Sequence, residues 1–119
     1  MFPSNVHFDW KLYIDDIRMP PNNTYIIART VAEAQILIQQ YGAPIFISFD
    51  HDLGMDNTGK ILPTGYDLAK WIVEMDMNGL IKIPNHFSFN IHSQNPVGAE
   101  NIKSYLKNYL QFKSSVSVI

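Results

Sequence analysis

Two acidic clusters and two histidines sit where short apolar runs stop. Lys11–Ile14 ends in Asp15-Asp16, Ile45–Phe49 ends in Asp50-His51-Asp52, and the alternating stretch His86–Ile91 ends in His92-Ser93-Gln94-Asn95. Four carboxylates drawn together repel, and some take up protons unless a cation compensates them. Oxygen ligation of this kind suits Mg²⁺, Ca²⁺ or Mn²⁺ better than zinc, and adding His51 or His92 shifts the preference toward Mn²⁺ or another transition metal. Histidine titrates near ~6.5 when unperturbed, so both can also move protons. A metal beside a proton donor suits phosphoester hydrolysis, the cation neutralising phosphoryl oxygens while a base directs water. Each residue alone has a plainer reading. One Asp after a strand is usually a turn or cap residue, and one loop histidine is usually just hydrogen-bonded. Repetition at three run ends is what favours a site.

Those ends meet only if the runs are neighbouring strands. Adjacent strands lie ~4.8 Å apart, and ligands of open parallel sheets bind beyond the carboxyl ends. The flanking sequence supports that arrangement. After Asp16, Arg18 to Asn23 is a loop by its prolines and asparagines, and Tyr25–Ala28 is a second short strand. Thr30-Val31-Ala32-Glu33 reads as a capping box, with Val31, Ala34, Leu37, Ile38 and Tyr41 at helical spacing before Gly42 and Pro44. Ile45–Phe49 is a strand covered on both faces. Met55 to Pro63 is a loop; Thr64 caps a helix with Leu68, Ala69, Ile72 and Val73 inward, closed by Asn78-Gly79. Asn95 and Pro96 fit the N-cap and first turn of a last helix, its inward stripe Ile102, Tyr105, Leu106, Tyr109 and Leu110. Residues 1–10 read as a lead-in or edge segment, and 114–119 as a final edge strand or tail. Strands alternating with helices predict a mainly parallel sheet with helices on its faces.

Composition narrows the classes. The chain has 119 residues, 46% hydrophobic and 17% charged, a formal net charge of -2 and no cysteine. One domain over 1–119 is expected. Disulfides, thiol catalysis and cysteine zinc sites are excluded. No apolar run approaches ~18 residues and no signal-peptide pattern opens the chain, so a cytoplasmic protein without membrane contact is expected. Slight acidity argues against an extended nucleic-acid surface and leaves room for a small anionic ligand. His7 and His86 read as structural or surface residues, Lys103, Lys107 and Lys113 as a solvated helix face, and Trp71 as core or rim. Gly54 and Gly59 lack the spacing of a phosphate-binding loop.

Leu12-Tyr13-Ile14-Asp15-Asp16, then Phe46 to Gly54, then Gly65-Tyr66-Asp67-Leu68 resemble a response-regulator receiver domain. More narrowly, Asp-Asp-Ile-Arg at 15–18, Ser-Phe-Asp-His-Asp-Leu-Gly at 48–54 and Ile-His-Ser-Gln-Asn-Pro-Val-Gly-Ala-Glu-Asn at 91–101 resemble the cyclic-phosphate processing receiver-like domains. That branch of bacteria and phages is linked to RNA repair, and the likeness covers roughly Lys11 to Leu110. The resemblance implies an α/β, flavodoxin-like three-layer sandwich with a mainly parallel sheet of four or five strands. The first crossover helix is reduced or missing, because residues 15–24 are too few. It implies Asp15, Asp16 and Asp50 as ligands of one Mg²⁺ or Mn²⁺, with Asp50 at the phosphoacceptor position and Asp52 where a receiver uses a main-chain carbonyl on the metal. Ser93 or His92 falls near the hydroxyl residue ending the fourth strand. No receiver lysine follows a fifth strand, and His51 and His92 are additions that a phosphorelay does not need.

The expectation is therefore a metal-dependent phosphoesterase acting on a cyclic phosphate, a 2′,3′-cyclic RNA end or cyclic nucleotide. Asp50, His51, Asp52 and His92 are the catalytic candidates, Asp52 orienting His51 or ligating through water and His92 donating a proton to the leaving ribose oxygen or binding the phosphate. Ser93, Asn95 and Arg18 are the substrate-binding ones. Which histidine is acid and which base stays open, as do the metal and the oligomeric state. The alternatives are a module that captures such a ligand without turnover, and a degenerate phosphoacceptor receiver.

Overall fold

The computed structural model describes residues 9–116. Four strands form one parallel sheet: β1 (Lys11–Ile14), β2 (Tyr25–Ala28), β3 (Phe46–Phe49) and β4 (Ser88–Ile91), in the order β2-β1-β3-β4. The helices are α1 (Val31–Tyr41), α2 (Gly65–Met77) and α3 (Pro96–Val116). Residues 15–24 contain no helix, so the first crossover helix is missing, as expected.

The connections explain the layering. From β2 to β3 and from β3 to β4 the chain moves the same way across the sheet, and right-handed crossovers put their helices on one side. Accordingly α1 packs on α2 and α2 on α3. Of the sandwich, the described residues supply the sheet and one helical layer. Strand side chains alternate, so Leu12, Ile14, Ala28, Ile47 and Phe49 face the helices and are fully buried against Ile38, Leu68, Ile72, Ile102 and Leu106. Each such Leu, Ile or Phe side chain contributes about 1.5–3 kcal/mol. The opposite sheet face carries Tyr13, Tyr25, Phe46, Ser48 and Asn90, with Tyr13 edge-on to Tyr25 at 5.8 Å.

Local signals act largely where the sequence places them. Thr30 caps α1 by accepting from the Glu33 amide at 3.1 Å, but the Glu33 carboxylate accepts from the Arg29 amide rather than from Thr30. Thr64 and Asp67 form a complete capping box on α2. Asn95 caps α3, its side-chain oxygen accepting from the Gly98 amide at 2.9 Å.

Three expectations need correction. Trp10 is not lead-in: it is 4% exposed, donates to the Gly42 carbonyl and belongs to the core. Strand β4 begins at Ser88 rather than His86, because the Phe87 amide turns back to the Pro84 carbonyl. Residues 114–116 continue α3 instead of forming an edge strand, held by Lys113 on Asp76 and by Tyr109 stacked near Phe112. His7 and residues 117–119 lie outside the described residues.

Candidate active site

The register sets three strand ends level. Ile14 pairs with Ala28 and Phe49, and Phe49 with Ile91. The ladder runs one residue further: the Asp50 amide donates to Ile14 and the His92 amide to Phe49, each at 2.9 Å. Asp15, Asp50 and His92 therefore stand side by side, one strand spacing apart.

Three carboxylates converge. Asp15, Asp16 and Asp50 each bring a ligand oxygen within 4.8 Å of the others, and such a cluster can hold a metal ion. Among the described residues no lysine or arginine pairs with them. Asp15 is fully buried, and its Oδ1 accepts from the Ile17 and Arg18 amides at 2.9 and 2.8 Å. Burial alone would raise its carboxyl, but those amides and His92 hold it below the ordinary range. Asp50 moves the other way, raised first by burial and then by the charge of Asp15. The charge of Asp15 disfavours ionisation of Asp50, and a cation between them would relieve that repulsion. The all-oxygen donor set fits a hard divalent ion. Asp52 is not one of the three.

Asp52 instead pairs with His51, Nδ1 to Oδ1 at 2.9 Å, and this contact holds the exposed Asp52 carboxyl below its usual value. Asn95 reaches Asp52 at 3.3 Å. The His51 ring is 15% exposed and lies against the start of α3. A Cβ on Gly98 would stand 2.3 Å from that ring, and a Cβ on Gly65 would stand 2.0 Å from the Asp50 carbonyl oxygen. Only glycine lets α2 and α3 begin this close to the end of β3.

His92 is held on every side. Its Nε2 meets Asp15 Oδ2 at 2.9 Å, its Nδ1 meets Ser48 Oγ at 2.7 Å, and Tyr13 stacks on the ring at 4.5 Å and 1°. Arg18 donates to the His92 carbonyl at 3.0 Å, and Arg29 donates to the carbonyls of Asp15 and Arg18. Arg18 thus ties the loop after β1 to the end of β4. Ser93 Oγ accepts from the Asn95 amide at 3.0 Å, and its hydroxyl lies near enough to Asp50 to oppose the rise of that carboxyl. All predicted site residues gather at this one end of the sheet. Missed by sequence reasoning were Ser48, Asn90, Tyr13, Arg29 and the two glycines. One signal was present: Ser48 is the polar residue of the otherwise apolar β3, and it pairs with the polar Asn90 of β4.

A parallel sheet with an acidic cluster at its carboxyl end and one-sided consecutive crossovers defines a receiver-type α/β protein. The family model for the cyclic-phosphate processing receiver domain matches residues 10–108, and the chain belongs to that family. No curated protein and no solved structure matches it. No helix among the described residues is long and apolar enough to cross a membrane.

Proposed function

We propose that this chain is a metal-dependent phosphoesterase that opens cyclic phosphates, 2′,3′-cyclic RNA ends or cyclic nucleotides. The observation that carries the reading is the convergence of Asp15, Asp16 and Asp50 beside two histidines in a member of the cyclic-phosphate processing family. A Mg²⁺ or Mn²⁺ held by those carboxylates supplies charge neutralisation for the phosphoryl oxygens. His51 carries the proton work. Its Nδ1 is committed to Asp52, and Nε2 has no hydrogen-bond partner among the described residues. Asp52 fixes the orientation of the ring, as a carboxylate does for a general acid–base histidine. Water adds to phosphorus, the bond from phosphorus to one ribose oxygen breaks, and His51 passes the proton to that oxygen. The product is a phosphomonoester. Ser93 and Asn95 orient the phosphate, while Arg18 acts by holding the loops.

The test is incubation with 2′,3′-cyclic nucleotides and Mg²⁺ or Mn²⁺. A ring-opened monophosphate is expected, with turnover reduced about hundredfold or more in Asp50→Asn, the few kcal/mol a bound cation supplies. No ring opening contradicts the reading. Capture without turnover is the second reading, favoured because Arg18 and both ring nitrogens of His92 are already engaged. Tight calorimetric binding with the cyclic ligand recovered intact would support it instead.

A further inference from the structure

We propose that Ser48 and His92 form a positioning relay that fixes Asp15 and leaves a single lone pair of that carboxylate for the cation. The inference rests on the metal reading above but not on turnover.

The proton count is determined by chemistry. A carboxylate offers about four lone-pair sites and, when ionised, can only accept. Two sites on Asp15 are filled by the Ile17 and Arg18 amides, and a third faces His92 Nε2. The hydrogen between Nε2 and Oδ2 therefore belongs to the imidazole, so His92 is a donor to Asp15 and not a base toward substrate. The other ring nitrogen ends on Ser48 Oγ at 2.7 Å, and the Ser48 hydroxyl donates to Asn90 Oδ1 at 2.6 Å. Ser48 is 4% exposed within the strand Phe-Ile-Ser-Phe, where a hydroxyl costs stability unless it is bonded. Both its contacts are polar and short. Tyr13 stacked on the ring and Arg18 on the His92 carbonyl remove the remaining freedom of the loop. The chain Asn90–Ser48–His92–Asp15 thus runs from the helix-free sheet face to the acidic cluster. Carboxylates and imidazoles outside a metal's own ligand set typically change its affinity by 10–100-fold through such orientation.

The experiment is Mn²⁺ titration calorimetry on the wild type, Ser48→Ala, His92→Gln and the double variant, with thermal unfolding as a control for folding. Ser48→Ala is expected to weaken Mn²⁺ about tenfold. Because Ser48 acts through His92, the same change in the His92→Gln background should add nothing. Ser48→Thr, which keeps the hydroxyl, should restore most of the affinity. Exposed Asn90→Ala provides a variant that does not disturb the core, with a smaller loss in the same direction. Unchanged affinity in folded Ser48→Ala, or additive losses in the double variant, overturns the relay. A wild type that binds no Mn²⁺ removes the metal reading, and ¹⁵N spectra of the metal-free protein then decide the relay separately. They should show a slowly exchanging Nε2–H on His92 that is lost in Ser48→Ala; identical ring signals in the two proteins overturn it.

Discussion

Gly98 and Gly65 hold neighbouring parts of the site, yet their substitution should separate the two chemistries. The nearest atoms a methyl at Gly98 would meet all belong to the His51 ring, a side chain that can move. Gly98→Ala is expected to cost about 1–3 kcal/mol and to displace His51 from Asp52. Turnover of a cyclic nucleotide should fall while Mn²⁺ affinity stays within about twofold. At Gly65 the methyl meets the Asp50 main chain, so Gly65→Ala should lose both. Calorimetric titration beside an activity assay checks the pair; equal effects of the two substitutions would contradict the assignment. Residues of this kind were only partly legible. Asp15, Asp16 and Asp50 announce themselves only together, because acidic residues recur at the ends of apolar runs where one alone would read as a turn or cap residue. Nothing in the sequence shows that His92 has both nitrogens engaged, since its partners Ser48 and Asp15 come from two other strands. Asp52 reads as orienting His51 or reaching the metal through water, and the structure places it on His51 and Asn95.

At the scale of elements, α3 is fastened to the end of α2 by Asp76. That carboxylate is 6% exposed and accepts from Tyr109, from Lys113 at 2.9 Å and from the Ile83 amide at 2.8 Å. Burial opposes its ionisation, but the three donors outweigh burial and hold its pKa below 3.8. The Tyr109 hydroxyl is raised by burial and by the same carboxylate. A depressed carboxyl stabilises the fold above its unfolded pKa, and that stability disappears as pH falls through the folded value. Asp76→Asn should therefore lower stability at neutral pH by about 2–4 kcal/mol and flatten the acid limb of the profile. Urea unfolding between neutral pH and the acid range measures both; an acid limb as steep as the wild type's contradicts the anchor. The elements themselves were legible where caps and periodicity agree, as at Thr30, Thr64 and Asn95. The last turn of α3 was not. Ser114 to Val116 have weak helical preference alone, and contacts from Lys113 and Tyr109, distant in sequence from Asp76, decide their state.

For the whole molecule, everything follows from the order β2-β1-β3-β4. It makes β1, β3 and β4 consecutive neighbours, and level register brings their last residues to one height. The alternation of strands and helices already implied a parallel sheet, but the neighbours and register depend on crossovers that no local window contains. The family match over residues 10–108 agrees with the stretch whose motifs carry the likeness. The central claim is that this topology builds one cation site from two strand ends. Anomalous diffraction from a crystal soaked in Mn²⁺ tests it most directly. A single peak between Asp15, Asp16 and Asp50, lost in Asp50→Asn, is the predicted result; a soaked crystal with no peak there, or with manganese bound only elsewhere, would contradict the account.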